Sequence, residues 1–156
     1  CGIDSVCVHT RFSRDKLKRP ARHNLYSWIR TLTPLPLIAN GDIGVKKAKD
    51  LLNNQYIDGV MIGRASVIKP WIFADISGMI SNINYKETWQ RHYEYTCEDL
   101  PPQKAIGRIK EFSYWYAQNF YFGHQFHRVV QSAPDLQKLH ERAHAFFDSD
   151  PQIMPE

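Results

Sequence analysis

Two glycine turns are the segments of this chain whose residue types most clearly suggest chemistry. They are Ala39-Asn40-Gly41-Asp42-Ile43 and Ile62-Gly63-Arg64-Ala65, and each ends a short apolar run. Glycine lets the backbone approach a ligand closely, N–H groups at a helix start bind anions, and arginine adds a bidentate positive charge. Either turn alone is typical of an ordinary loop. Two of them at successive strand ends favour a phosphate site.

His9 is a second candidate, because it closes the first apolar run and is followed by Thr10 and Arg11. A side chain at the carboxyl end of a barrel strand points toward the mouth of the active site. An isolated histidine at the edge of a loop more often only hydrogen-bonds to its surroundings. The residues alone leave both interpretations open.

The elements that position these residues alternate between strand and helix. The apolar runs are almost uninterrupted, as in strands that are covered on both faces, and the alternation is typical of parallel βαβ units. Three such units in the first 84 residues match the barrel average of about 30 residues per unit, so a small open sheet and three-eighths of a (β/α)8 barrel are both possible. We predict strands at residues 3–8, 35–39 and 59–62, and helices at 24–32, 45–52 and 70–80.

The chain changes character near residue 85, after which only helical patterns occur. We therefore predict two domains, an α/β part over residues 1–84 and an all-α part over residues 85–156. Ser132 is predicted to begin the last helix, with Asp135 three residues later, and the tail from residue 148 is predicted to be frayed. Most of a stripe at helical spacing is predicted to be core rather than a stacking surface: Ile106, Ile109, Tyr116 and Phe120, widened by Phe112, Trp115 and Phe122.

Composition excludes several classes of protein. The 156 residues are 43% hydrophobic and 13% aromatic, which argues against disorder. No run approaches the roughly 20 apolar residues that a membrane helix needs. Three unevenly spaced cysteines give no disulfide framework and fit a cytoplasmic protein. The histidine pairs at 124 and 127 and at 140 and 144 lack further ligands, so we predict no metal site.

Positive charge is concentrated in one segment. Residues 11–30 contain seven basic side chains against Asp15 alone, a net charge of +6, whereas the whole chain carries +4. A solvated surface loop is the usual explanation of such a run. Its position directly after His9 favours contacts with RNA phosphates.

Several motifs, taken in order, carry a family resemblance: Val8-His9-Thr10-Arg11, Pro36-Leu37-Ile38-Ala39-Asn40-Gly41-Asp42-Ile43, Asp58-Gly59-Val60-Met61-Ile62-Gly63-Arg64-Ala65, Pro70-Trp71 and Arg108-Ile109-Lys110. Together they resemble the tRNA-dihydrouridine synthases, and the last motif is most similar to the C-type bacterial branch. The resemblance implies an FMN-binding TIM barrel followed by a helical domain that binds tRNA. NADPH or NADH would reduce the flavin, hydride would pass to C6 of a D-loop uridine (position 16 by the C-type likeness), and a cysteine acid would protonate C5.

The resemblance also implies roles for individual residues. Asn40, Gly41, Gly63 and Arg64 would hold the FMN phosphate, and His9 would contact the isoalloxazine ring. Asp42 would also belong to the cofactor-binding residues. The residues implied in RNA binding are Arg11, Arg14, Arg108 and Lys110, of which Arg11 would face either the flavin or the RNA. The full-length enzyme would be a cytoplasmic monomer without a metal.

The family's general-acid cysteine would lie upstream of residue 1, and none of Cys1, Cys7 and Cys97 replaces it. Because the chain also begins without Met, we expect it to be the C-terminal portion of a longer enzyme, inactive by itself. Two alternatives remain open. One is a non-catalytic RNA-binding module, and the other is a fragment of a different FMN-binding TIM-barrel oxidoreductase.

Overall fold

The computed structural model describes residues 2–15, 19–79 and 82–155, and the chain separates into two compact units. The first, called here the sheet unit, comprises residues 1–66 and 71–80. The second, called the helical unit, comprises residues 67–70 and 81–156. The assignment of separate functions to residues 1–84 and 85–156 stays a prediction.

The sheet unit is α/β, as predicted. Its three strands are parallel in the order β1-β2-β3, with Val8 opposite Ala39 and Ala39 opposite Val60. Each lies within about three residues of its predicted position, because an apolar run marks a buried strand well but its ends poorly. The elements are β1 (Val6–His9), α1 (Tyr26–Leu32), β2 (Leu37–Asn40), α2 (Val45–Asn53), β3 (Gly59–Met61), α3 (Arg64–Ile68) and α4 (Ile72–Ile76).

Helix α4 is shorter than the predicted helix over residues 70–80, and the short helix α3 that precedes it was not predicted. Gly78, with a φ of 68°, follows α4 closely, and glycine in this left-handed conformation is a common helix stop. The predicted end of the helix at residue 80 lies outside the described residues.

One face of the sheet is packed and the other is open. Leu37 and Ala39 are fully buried in a cluster with Ala48, Leu51 and Ile72 from the helices. The opposite face carries Cys7, His9 and Met61, all exposed. The near-continuous hydrophobicity predicted strands covered on both faces. Within the part of the chain that the structure describes, only one face is covered.

Helix α1 lies on the sheet through a residue that the helical pattern did not indicate. Leu25, Trp28, Ile29 and Leu32 share one predicted face, but Trp28 and Leu32 are exposed, whereas Tyr26 is fully buried. The predicted face was therefore wrong in part. Tyr26 is the buried residue because its hydroxyl forms hydrogen bonds with backbone groups of β1 and β2, which no apolar side chain could form.

The helical unit encloses an aromatic core. Trp89, Tyr116 and Phe126 are fully buried, and the Trp89 indole Nε1 donates to Ser113 Oγ at 2.9 Å. Of the predicted core aromatics, Tyr116 and Phe120 are buried, but Phe122 is exposed. The helices are α5 (Tyr85–Asp99), α6 (Pro102–Tyr116), α7 (Gly123–Gln131) and α8 (Leu136–Asp148). Within the described ranges, no helix combines the length and apolar character that crossing a bilayer requires.

Two predictions about the ends of the last helix were wrong. Asp135, not Ser132, caps α8, because its Oδ1 accepts from the Lys138 N–H at 2.7 Å. Ser132 instead ends α7. The tail is not frayed over residues 152–154, since its backbone donates to Asn119 O at 2.8 Å and accepts from Tyr121 N at 3.0 Å.

Candidate anion site at the carboxyl edge of the sheet

The parallel sheet places the predicted site residues at one edge. The register aligns His9 with Asn40 and Asn40 with Met61, so the last residues of the three strands form one row. The Asn40 side chain lies beside Met61, with its Nδ2 3.2 Å from the thioether sulfur. Gly41 directly follows β2, and Gly63 lies two residues after the end of β3. Ligands of open α/β sheets bind at this edge.

Asp42 is the centre of the site, because two guanidinium groups, one from the segment after β1 and one from the segment after β3, converge on its carboxylate. Arg64 Nη2 donates to Asp42 Oδ1 at 2.8 Å, and Arg11 Nη2 forms a close ion pair with Oδ2. The backbone N–H of Ala21 donates to the same Oδ2 at 3.3 Å. The structure thus brings together Arg11, Asp42 and Arg64, which are distant in the sequence.

Gly41 cannot be replaced without disturbance. Its φ is 107°, and a Cβ built there would lie 2.9 Å from both Cε1 and Nε2 of His9 and 3.1 Å from Ala21 Cβ. The Gly41 carbonyl accepts from the His23 ring at 2.7 Å. Because only glycine combines this φ with this close approach, the turn holds the His9 imidazole directly against the backbone.

Tyr26 supports the site from the buried face, and the sequence did not indicate this role. Its hydroxyl donates to Val8 O at 2.7 Å and accepts from the Asn40 N–H at 3.0 Å, which joins β1 to β2 just before the site residues. Burial raises the pKa of Tyr26, so the phenol stays protonated. Because Tyr26 lies outside the predicted apolar face of α1, no sequence pattern indicated this role.

The electrostatics of the site fit an anion. The Arg11 side chain is only 6% exposed. Its Nε donates to Arg19 O at 2.7 Å, whereas Nη1 is buried and has no hydrogen-bond partner among the described residues. Arg64 is 59% exposed. Two guanidinium groups against one carboxylate leave one net positive charge beside two glycines, and this donor set suits a phosphate group.

The remaining basic residues of the 11–30 segment divide into internal and exposed groups. Arg22 pairs with buried Asp15 at 3.2 Å, and Arg30 pairs with Asp58 and donates to Leu35 O at 3.0 Å. Arg14 lies over the Phe12 ring at 5.2 Å in an exposed loop, and Arg19 is also largely exposed. Lys16 and Lys18 lie outside the described residues. Much of the positive run therefore has structural partners.

Arg108 and Lys110 lie on α6 in the helical unit and differ in their surroundings. Lys110 Nζ donates to Ala133 O at 2.7 Å, just beyond the end of α7. Arg108 is exposed and pairs with Glu111 of the same helix at 3.0 Å. Lys110 thus has an internal structural contact, while Arg108 presents its charge to solvent.

His140 and His144, one of the two histidine pairs, share a hydrogen-bonding partner. His140 and His144 both contact Gln90 Oε1, at 2.8 and 2.7 Å. Across the described ranges, no group of three or more His, Cys, Asp or Glu side chains is arranged to hold a metal ion.

The fold and the site together define an α/β protein with a candidate anion site at the carboxyl edge of a parallel sheet. Sequence comparison is more specific. The model of the dihydrouridine synthase (Dus) family matches residues 1–150, and the chain belongs to this family.

Individual relatives agree with this assignment. The chain is similar to tRNA-dihydrouridine synthase B of Serratia marcescens, with 28% identity over 173 residues that cover 96% of the chain and 48% of the relative. The corresponding protein of Escherichia coli K12 is 26% identical over 96% of the chain and 50% of its own length. The chain thus spans about half the length of the curated relatives it matches. The family resemblance is confirmed, and since these relatives carry the B designation, the C-type likeness stays a prediction.

Proposed function

We propose that the chain is the C-terminal part of an FMN-dependent tRNA-dihydrouridine synthase that reduces a D-loop uridine with NADPH or NADH. In this proposal the sheet unit supplies the last three strands of a (β/α)8 barrel, and the helical unit binds tRNA. The observation that carries the proposal is the convergence of Arg11, Arg64 and Gly41 around Asp42 at the carboxyl edge of a parallel sheet.

The uncovered sheet face supports the barrel. Parallel sheets are normally covered on both faces, and here the face bearing Cys7, Ile38 and Met61 has no cover from the described residues. In a closed barrel this face would point inward and be filled by side chains of the other strands. The strand edges at β1 and β3 would likewise be paired.

Several residues of the site would together bind the cofactor. Arg11 and Arg64 would bind the FMN phosphate, with Asn40, Gly41 and Gly63 in the turns around it. Bound and reduced FMN would supply the hydride for C6 of the uridine.

Asp42 would hold both guanidinium groups in position before the phosphate arrives, which lowers the cost of ordering them. His9, fixed against Gly41, would face the flavin ring. The burial of Arg11 and its pairing with Asp42 favour the cofactor over the RNA as its ligand.

The proton for C5 needs a general acid that we do not assign within the described residues. Cys7 lies inside β1, beside Met61, and Cys97 lies on α5 in the helical unit. We therefore expect this chain alone to be inactive, with the acid in the upstream part of the enzyme. Arg14 and Arg108 are the predicted RNA contacts whose charges are exposed. The full-length protein is proposed to be a cytoplasmic monomer.

The test uses the full-length protein produced from the gene. We expect it to retain FMN, visible by its absorption, and to form dihydrouridine in tRNA that lacks the modification. Arg64→Ala should weaken FMN binding by about 10- to 100-fold, because it removes one charge-assisted hydrogen bond to the phosphate. Arg91→Ala, an exposed arginine of the helical unit, is the matched control and should leave FMN binding unchanged.

Failure to bind FMN by the full-length protein would contradict the proposal. If such a protein still bound tRNA, the result would support the alternative of a non-catalytic RNA-binding module. FMN binding without dihydrouridine formation would point instead to another FMN-dependent barrel oxidoreductase.

A further inference from the structure

We infer that the helical unit contains a pocket for one unpaired nucleobase, between the end of α6 and the start of α7. The inference rests on the proposed function for its partner, an RNA, but not on the candidate anion site. The pocket has a volume of about 280 Å³, and Tyr114, Tyr121, His124 and His127 form its walls.

The floor of the pocket is rigid. A Cβ at Gly123 would lie 1.9 Å from Ala117 O, so the backbones of these two residues are in direct contact. Phe120 is buried beneath them and pairs with Ile153 of the C-terminal tail through an isolated β-bridge. The Tyr121 N–H donates to Gln152 O at 3.0 Å, and this hydrogen bond fixes the backbone of the wall residue Tyr121. A preformed pocket of this kind loses little entropy when it binds a ligand.

The walls offer aromatic surface to solvent. Tyr114 is 49% exposed and Tyr121 is 48% exposed, although large aromatic side chains normally bury most of their area. The His127 ring packs edge-on against Tyr114 with centroids 5.2 Å apart, and this contact orients both rings. Proteins that bind single-stranded RNA stack its bases on exposed Tyr, Phe, Trp and His side chains.

The polar groups of the pocket also suit a base. Each neutral imidazole offers one donor and one acceptor, and each tyrosine hydroxyl offers both, which matches the mixed donors and acceptors on the edge of a nucleobase. The volume lies just below the range of about 300–1,000 Å³ typical of pockets for drug-sized ligands, so a single planar ring fits better than a larger molecule.

A second pocket of the same unit makes the choice of ligand clearer. It has a volume of about 580 Å³ between α5 and α8, and its lining includes Glu141. Glu141 there is ion-paired with Lys138 at 2.6 Å, and Tyr93 of the same lining is partly buried, so its ring offers less free surface for stacking. Among the described residues, none that lines the first pocket carries a carboxylate. The exposed rings of Tyr114 and Tyr121 therefore assign RNA to the first pocket and not to the larger one.

The experiment measures binding of the 156-residue chain to a short, unstructured, fluorescein-labelled RNA and to the same sequence in a duplex. Tyr114→Ala and Tyr121→Ala should each weaken binding of the single strand by about 5- to 100-fold, the effect of losing one stacked base, and leave duplex binding unchanged. Tyr114→Phe keeps the ring and should bind like the parent. Tyr95→Ala is the matched control, because Tyr95 is 62% exposed on α5 and lies outside the pocket.

Circular dichroism would verify that all four variants keep the thermal midpoint of the parent. Equal losses in Tyr95→Ala and Tyr114→Ala would overturn the inference, as would binding of duplex and single strand with the same affinity. Neither result touches the proposed function, which depends on FMN retention and dihydrouridine formation in the full-length protein. Conversely, a full-length protein without flavin could still show the stacking effect, so the two failures are distinguishable.

Discussion

The sheet unit and the helical unit bury their apolar surfaces in different ways. In the helical unit, Trp89 and Phe126 are enclosed by the unit's own helices, and apolar burial dominates. In the sheet unit, helices cover one face only, and the carboxyl edge is held by polar contacts of Tyr26 and Asp42. The difference indicates that the helical unit encloses its own core, whereas the sheet unit has an apolar face that needs further structure to cover it.

The largest expected effect tests whether the aromatic core carries the stability of the helical unit. Trp89→Ala removes a fully buried indole and its hydrogen bond to Ser113, and should lower the free energy of unfolding by about 3–5 kcal/mol. Trp28→Ala is the control in the sheet unit, because Trp28 is 60% exposed there. Urea unfolding followed by far-UV circular dichroism measures both. Similar losses in the two variants would contradict the picture of a self-contained helical core.

A glycine-to-alanine pair should shift stability in opposite directions in the two units. Gly41→Ala forces a Cβ against the His9 ring at a positive φ, and should cost about 1–3 kcal/mol. Gly107→Ala lies in the middle of α6 with open space around the new methyl group, and should stabilise by about 1 kcal/mol. Thermal unfolding of both variants distinguishes them. A neutral Gly41→Ala would mean that the turn is not held as the contact with His9 requires.

Two basic residues of α6 should separate structure from RNA binding. Lys110→Met breaks the hydrogen bond to Ala133 O, and should cost about 1 kcal/mol of stability. Arg108→Ala should change stability by less than about 0.5 kcal/mol, because its ion pair with Glu111 is exposed. Its effect should be on tRNA affinity at low salt. Chemical denaturation and a salt titration of tRNA binding provide the two measurements, and loss of stability in Arg108→Ala alone would reverse the assignment.

The smallest effect concerns pH, because the two units should begin to lose stability at different pH values. Burial lowers the pKa of His92 and of His144 below 6.5, so both are neutral in the folded helical unit. The unfolded chain takes up protons first, and stability should decline as pH falls below about 6.5.

In the sheet unit, the N–H of Leu37 and the Arg30 guanidinium lower the pKa of Asp58 below 3.8, so its contribution should persist until more acidic pH. Denaturation midpoints measured from pH 7.5 to 4.5 would show the decline. The double variant His92→Phe/His144→Gln should flatten it, and an unchanged slope would exclude these two histidines as its source.

The sequence was sufficient to predict the strands and part of the candidate site. Continuous apolar runs predict buried strands, and Gly41 and Arg64 stood out because glycine turns at strand ends are local features. Their convergence on Asp42 was not predictable, since Arg11 reaches that carboxylate across 31 positions of sequence. Tertiary pairing of this kind leaves no periodic signal.

The errors have a common physical origin. Trp28 fits the apolar face of α1 by spacing, yet the helix is rotated so that buried Tyr26 meets the carbonyl of Val8. Asp135 and Ser132 are both acceptable caps, and only the backbone geometry decides between them. The tail forms hydrogen bonds with residues 119–121, a contact that depends on the folded helical unit. In each case the structure was decided by a hydrogen bond that the sequence pattern does not show.

The shared contact of His140 and His144 with Gln90 fixes the position of two protons. The Gln90 amide donates through its nitrogen to Glu94 Oε1 at 2.7 Å, so the oxygen that faces the imidazoles can only accept. Both rings must therefore carry hydrogen on Nε2 and leave Nδ1 with a lone pair when neutral. Two Nε2–H tautomers side by side, with centroids 4.1 Å apart, should give a pair of ¹⁵N resonances that report on the α5–α8 contact.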